Sequence, residues 1–370
     1  MKITGAVLEE IGRSRPYAES RPISLSEMDL DPPVEGEILV RIEAAGICHS
    51  DLSVVNGSRV RPVPMLLGHE AAGIVEQLGA GVADLSVGDR VAMTFLPRCG
   101  VCANCLTEGR LPCTPGSAAN ATGTLLGGGR RLHRDGEDIQ HHLGVSGFAT
   151  HAVVNRRSVV KVGADVPAEV AAVLGCAVLT GGGALINRGQ PQAGDAIVVV
   201  GLGGVGMAAL ITAVSLGLGD VIGIDALPEK LARAAELGAT RVCTPDEALA
   251  LGLTAPVVIE AAGHPRAFET AVLLTAPGGI TVTVGLPAPD ARSNISPMAI
   301  TAEARTIVGS YLGSAVPSRD IPTFEQLWRE GRLPVEELIS SRIGIGEINE
   351  AMDFLSDGHG IRQVVVFDPA

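Results

Sequence analysis

Over residues 1 to about 177 the apolar positions come in short runs, at 37–42, 71–78, 87–93 and 148–162, broken by turn residues and lacking helical periodicity. That pattern predicts a β-rich domain. From Thr180 onward it changes to buried apolar runs alternating with helical stretches. The runs at 196–200, 221–224, 241–243, 257–259, 280–284 and 306–308 read as strands. Residues 228–237, with Pro228 in the first turn and Gly238 after the end, and residues 265–275 read as helices between them. Strands alternating with helices make a doubly wound parallel sheet. From about residue 311 the chain is expected to return to the first domain. There Ile348, Ala351, Met352 and Leu355 recur at i, i+3, i+4 and i+7, predicting an amphipathic helix stopped by Gly358.

The sharpest signal lies at 195–225. A β-branched run is followed by Gly201-Leu202-Gly203-Gly204-Val205-Gly206, an apolar helical stretch, a second short run, and Asp225. Strand, glycine turn, helix, strand and acid together are the dinucleotide-binding fingerprint. Residues 196–219 carry no charge and would pass for a membrane span, but the glycines and Asp225 have no use in lipid. A carboxylate at Asp225 accepts from a ribose 2′-OH and repels a 2′-phosphate, so NAD is expected rather than NADP. Lys230 is close enough in sequence to touch the ribose, and a solvated helix lysine reads equally well.

The length of 370 residues suits two domains. Aromatic residues make up only 2% of the chain, so the core must be built from Val, Leu, Ile and Ala. A net charge of −13 argues against nucleic acid or an anionic membrane as partner. The opening MKITGAVLEE has no apolar run before its acidic pair. No signal peptide is therefore read there, and a cytoplasmic location is expected.

Four of the seven cysteines fall close together, Cys99-x2-Cys102-x2-Cys105-x7-Cys113. Four thiolates so spaced make a closed tetrahedral site, hence a structural zinc holding the irregular stretch 97–142. An iron–sulfur cluster takes similar ligands. Cys48 and His69 are natural zinc ligands, and Cys176 could supply a third from far along the chain. Three ligands leave a fourth position open, as a catalytic zinc needs. Taken singly, Cys48 and His69 read as well as buried core residues. Asp51 and Glu70, beside the ligands in sequence, fit carboxylates that orient an imidazole and tune a metal. Cys243 reads as core, and the remaining histidines, His142 among them, show no ligand spacing.

Cys48, Gly68-His69-Glu70-x2-Gly73, the cysteine quartet, Gly175-Cys176 and GLGGVG stand in the order and separations of the zinc alcohol dehydrogenases. The chain thus resembles that branch of the medium-chain dehydrogenase/reductase family from about Gly46 to Phe367. The resemblance implies a GroES-like catalytic domain, residues 1–177 and 311–370, and a Rossmann coenzyme domain, 178–310. It implies two zincs per subunit, one held by Cys48, His69 and Cys176, the other by the quartet. Ser50 aligns with the proton-relay hydroxyl, and His49 with the residue on the coenzyme pyrophosphate. Arg362 resembles the pyrophosphate arginine, with a surface charge as the competing reading. Thr180, Val205 and the strand end at Val284 and Gly285 match positions near the nicotinamide. Phe95 and Phe148 resemble walls of the substrate pocket.

The chain departs from the family at Ser53, where relatives often carry a histidine that passes the proton onward. It departs again at Arg59, where an apolar pocket residue is common; a surface arginine is the preferred reading. The implied activity is NAD-dependent interconversion of an alcohol, apolar and aromatic or allylic, with its aldehyde or ketone, in a homodimer or homotetramer. A dehydrogenase of S-(hydroxymethyl)glutathione on the same scaffold is the alternative. A non-enzymatic zinc- and NAD-binding protein is the remote one.

Overall fold

The computed structural model describes residues 1–367. It divides into two compact units, one formed by residues 1–176 with the chain from Ile339 onward, the other by Ala177–Leu338.

In the first unit the strands Lys2–Leu8, Ile23–Leu30, Leu132–Arg134, Glu137–His141 and Met65–Leu66 close into a small barrel. A seven-stranded sheet is built around the long strand Glu37–Ile47, which pairs with Glu70–Leu78, His151–Asn155 and Arg362–Val366. Ile38, Val40, Ile42, Val75, Met93 and Phe148 fill the core on this sheet. Two registers matter for chemistry. Glu70 lies opposite Gly46, and Gln363 opposite Ile47, so residues from both partner strands converge where Glu37–Ile47 ends and Cys48 begins. A Cβ at Gly46 would stand 2.2 Å from Glu70 Oε1, so only glycine fits beside that buried carboxylate. The C-terminal helix Ile348–Ser356 buries Ile348, Ala351, Met352 and Leu355, the four residues of its apolar stripe.

The second unit carries a six-stranded parallel sheet in the order Arg241–Cys243, Val221–Ile224, Ile197–Val200, Ala255–Glu260, Thr275–Thr283, Thr306–Gly309. The uncharged stretch expected to mimic a membrane span is split into the strand Ile197–Val200, the glycine turn and the helix Gly204–Ser215. The one described helix long and apolar enough to cross a membrane is Ala168–Gly189, and 89% of its most apolar window is buried inside the protein.

One boundary differs from the sequence reading. Residues 311–338 belong to the second unit and not to the first. The reason is the helix Pro317–Arg329, whose Ile321 and Phe324 are buried. The Phe324 ring packs so closely on Gly182 that a Cβ there would lie 2.6 Å from it. The apolar stripe of that helix is interrupted by Arg319, Asp320 and Pro322, which hid it in the sequence.

Candidate metal centres and dinucleotide turn

Cys48 caps the helix His49–Val55, and its N–H donates to Asp51 Oδ2 at 3.0 Å. Asp51 Oδ1 lies 3.0 Å from His69 Nδ1, leaving Nε2 as the free face of the imidazole. On that face stands Cys176, its Sγ 3.6 Å from Nε2 across 107 residues of sequence. Cys176 sits in a π turn, Leu174–Val178, between the α-helical stretches Ala168–Val173 and Leu179–Gly183. Such turns put an extra residue into the coil and recur at functional sites. Gly175 makes the approach possible, since a Cβ there would meet the Met93 carbonyl oxygen at 2.0 Å. The ligand atoms of Cys48, His69, Glu70 and Cys176 all lie within 4.8 Å of one another, and all four residues are buried.

The cluster fits zinc. With Zn–S near 2.3 Å and Zn–N near 2.0–2.1 Å, tetrahedral ligand atoms stand about 3.6 Å apart. The Cys176–His69 separation of 3.6 Å meets that spacing. Its electrostatics agree. The hydrogen bond from Cys176, aided by Arg362 and His69, holds the Cys48 thiol well below its ordinary range against the cost of burial. Cys176 is pushed well up by that same bond and by burial. Burial alone would raise Asp51, but His69 and His142 bring it down to about 2.

Glu70 departs from its expected role. It does not orient the imidazole, which Asp51 does, but faces Arg362 and the sulfurs. Burial pushes its carboxyl up to about 7, with Arg362 opposing. Arg362 differs as well. It is 4% exposed, donates from Nη1 to the Ile47 carbonyl at 2.7 Å, and has Nε 3.6 Å from Glu70. It is thus a buried cation beside the acidic cluster and not the surface charge of the competing reading.

Around the cluster, Phe95 sets its ring edge-on to His69, centroids 5.7 Å apart. Phe148 is not a pocket wall. It is completely buried in the core beneath Gly68, where a Cβ would lie 2.5 Å from the Phe148 nitrogen. Ser50 is half-buried in the first helical turn and His49 is exposed. Ser53 donates its hydroxyl to the His49 carbonyl at 2.7 Å, and half-buried Arg59 closes the next turn through its own N–H to Ser53. His142, to which the sequence assigned no chemistry, lies against both His69 and Asp51.

Cys99, Cys102, Cys105 and Cys113 also gather within 4.8 Å, with Cys99 and Cys105 sulfurs 3.9 Å apart. Backbone N–H groups of Cys99 and Gly116 donate to Cys113 Sγ at 3.3 and 3.4 Å, and that of Cys102 to Cys99 Sγ at 3.4 Å. Backbone N–H groups of Cys105 and Thr114 bring Cys102 down to about 6, while burial pushes Cys105 up to about 12. Four thiolates so close need a cation, and the spacing fits zinc as the first cluster does.

In the second unit Gly201 has φ +90°, and a Cβ there would meet Ala262 at 2.6 Å. Gly206 lies so close to the Gly201 carbonyl that a Cβ would stand 1.8 Å from its oxygen. Gly203 precedes the helix Gly204–Ser215, whose first N–H groups point into the turn. Asp225 accepts from Leu202 N at 2.7 Å and Leu227 N at 3.0 Å, which fixes the carboxylate beside the turn. Lys230 is half-buried one helical turn later. Thr180 is buried with its hydroxyl unbonded, and Val205 is half-buried on the first turn of the helix.

Sequence reasoning missed Glu260. At the end of its strand it accepts from Ala262 N and Gly263 N at 2.9 and 2.8 Å and from Thr283 Oγ1 at 2.7 Å. The backbone N–H groups of Val284 and Gly285 donate to its carbonyl. It thereby ties together two loops at one end of the parallel sheet. An acid closing the buried run at 257–259 was the available signal, the same one that identified Asp225.

Comparison with known proteins agrees with this architecture. Residues 34–167 match the alcohol dehydrogenase GroES-like domain, and residues 204–330 match the zinc-binding dehydrogenase domain. The NDMA-dependent alcohol dehydrogenase of Amycolatopsis methanolica is 35% identical over 99% of this chain and 99% of its own. Among solved structures, the benzyl alcohol dehydrogenase of Acinetobacter calcoaceticus superposes with a TM-score of 0.91 at 29% identity, covering 100% of both chains. An alcohol dehydrogenase zinc-binding domain protein from Burkholderia ambifaria gives a TM-score of 0.91 at 30% identity, again covering 100% of both chains. The chain belongs to the zinc-binding alcohol dehydrogenases of the medium-chain dehydrogenase/reductase family, enzymes that work with zinc and a nicotinamide dinucleotide.

Proposed function

We propose that the enzyme interconverts a primary, apolar alcohol, aromatic or allylic, with its aldehyde, using NAD. The observation that carries this reading is the buried set Cys48, His69 and Cys176, with Asp51 behind the imidazole and no fourth nitrogen or sulfur among the described residues of the cluster. Zinc bound there supplies Lewis acidity toward the alcohol oxygen, and NAD supplies the hydride acceptor.

The chain's own residues do the rest. Asp51 fixes the His69 tautomer by accepting a hydrogen bond from Nδ1–H, which leaves Nε2 for the metal. Arg362 is the buried cation that offsets the negative charge of the two sulfurs and of Glu70. Ser50 Oγ, one turn into the helix that Cys48 caps, is the group to take the alcohol proton. Ser53 does not extend that relay, because its hydroxyl is already committed to a backbone carbonyl. The exposed His49 is the remaining group on this helix for a coenzyme phosphate. Asp225, held beside the glycine turn, favours a free 2′-hydroxyl. Phe95 on His69 supports an aromatic or allylic group next to the reacting carbon. The benzyl alcohol dehydrogenase among the similar structures points to the same substrate class.

The test is a panel of initial rates with benzyl, allyl and short aliphatic alcohols, and with formaldehyde plus glutathione. NAD and NADP are run in parallel, before and after chelation. The reading expects chelator-sensitive, NAD-preferring turnover of benzyl- or allyl-type alcohols. Turnover confined to the glutathione adduct, or an NADP preference, would overturn it.

A further inference from the structure

His142 has no part in the chemistry above, yet it is 1% exposed at its edge. Its ring stands perpendicular to that of His69, with centroids 5.4 Å apart and planes at 88°. Its Nδ1 lies 3.2 Å from Asp51 Oδ1, the same oxygen that faces His69 Nδ1 at 3.0 Å. One carboxylate oxygen is thus shared by two imidazoles, while the other accepts from Cys48 N. The 3.2 Å contact falls outside hydrogen-bond geometry as it stands, and neither ring nitrogen of His142 has another partner among the described residues. Contacts at such sites often tighten only when the site is loaded.

The backbone holds His142 in place from the far side. Its N–H donates to Ser146 Oγ at 2.9 Å, and its carbonyl accepts from Val145 and Ser146. Leu143, Gly144 and Ser146 follow at φ 52°, 67° and 54°. Left-handed backbone is unfavourable for leucine and serine, so this turn is imposed by its surroundings. Asp51, His69 and His142 also bring donor atoms within 4.8 Å. A second cation there would have to displace the protons that both short contacts use, so hydrogen bonding is the better account.

We propose that His142 is a positioning residue of the zinc centre: it holds Asp51 Oδ1, and Asp51 in turn holds the His69 ring with Nε2 toward the metal. The inference rests on the reading that Cys48, His69 and Cys176 hold zinc. A buried carboxylate remains an effective anion when several N–H groups surround it. Asp51 has three such neighbours, and His142 is the one that is not itself part of the ligand set. Outer partners of a ligating histidine are typically worth about 10–100-fold in metal affinity or activity.

The zinc-loaded enzyme tests this through metal release to a colorimetric chelator. The catalytic phase is identified as the one missing from Cys48→Ser. His142→Leu should release catalytic zinc about tenfold faster with the structural phase unchanged. His142→Asn, whose side-chain N–H can stand where Nδ1 does, should return the rate toward wild type. Equal catalytic-phase rates in His142→Leu and wild type would overturn the proposal. So would slower release, or equal acceleration of both phases in both variants. The underlying reading fails separately, if wild-type protein binds a single zinc and Cys48→Ser removes no phase.

Discussion

The two cysteine clusters offer the same element to a metal and are built in opposite ways. Cys48, His69 and Cys176 come from a helix cap, a strand end and a π turn. They are 7%, 1% and 3% exposed and are held by side chains, Asp51 and Arg362, themselves buried. The quartet comes from one short window, with three of its four cysteines half-exposed, and is held by backbone N–H groups of its own loop. In the first case the fold brings the ligands together and a metal completes the arrangement. In the second little apolar packing keeps residues 97–113 in one shape, because Val101, Leu106 and Leu111 all lie on the surface, and the metal adds to a few hydrogen bonds such as those of Arg98 and Asn104. The difference separates what each site is for: one keeps an open position under control, the other replaces a core.

That contrast can be broken most sharply at Cys48. Cys48→Ser should abolish turnover while thermal stability and binding of NAD to the second unit stay near wild type. Retained activity would place the catalytic metal elsewhere. Cys99→Ser should do the reverse in order. It should lose one zinc, lower the melting temperature and open 97–113 to proteolysis, with catalytic zinc still present in the surviving folded protein; mass spectrometry of the cleavage sites and metal analysis would decide. A finer cut compares two glycines. Gly175→Ala drives a methyl into the Met93 carbonyl beside Cys176, and Gly116→Ala drives one into the Pro97 carbonyl at 2.2 Å beside Cys113. Overpacking of this kind costs about 1–3 kcal/mol. The first should appear mainly as lost activity and catalytic zinc, the second mainly as a lower melting temperature. The smallest effect belongs to Arg98, which donates to the carbonyls of Cys105 and Leu111. Arg98→Ala should lower stability by about 0.5–1.5 kcal/mol with kcat unchanged, read from denaturant melts and steady-state rates.

The contrast also explains what the sequence disclosed. The quartet was legible because its ligands are local, and spacing alone describes a tetrahedron. The glycine turn was legible for a similar reason: strand, turn, helix and acid follow one another along the chain. The catalytic set was readable only as residue types in a family order, since nothing local joins position 69 to position 176. Of its outer partners Asp51 was legible, because it stands three residues after Cys48, and the others were not. Arg362 reaches Glu70 because the last strand pairs with Glu37–Ile47 in one register, and a shift of one residue would turn it away. His142 reaches Asp51 through a turn of left-handed residues that no propensity foresees. Phe148 misled for the converse reason. An aromatic near a motif looks like a pocket wall until the chain beneath Gly68 is seen to enclose it.

The π turn at Leu174–Val178 has a consequence for how this gene can change. A π turn is an α-helix carrying one surplus residue, and removing that residue restores a more regular helix. Each residue of an α-helix advances by about 100°. Deletion of Ala177 or Val178 would therefore turn Cys176 by about 100° relative to Gly181 and Gly182, so the cysteine on His69 and the glycines packed against Val205 and Phe324 could not both keep their places. A deletion scan across 172–180 should show lost zinc occupancy together with a lower melting temperature, read by metal analysis and thermal melts. Codon loss in this turn is thus a change that the gene can hardly accept, because one register serves both the metal ligand and the glycine packing that follows it.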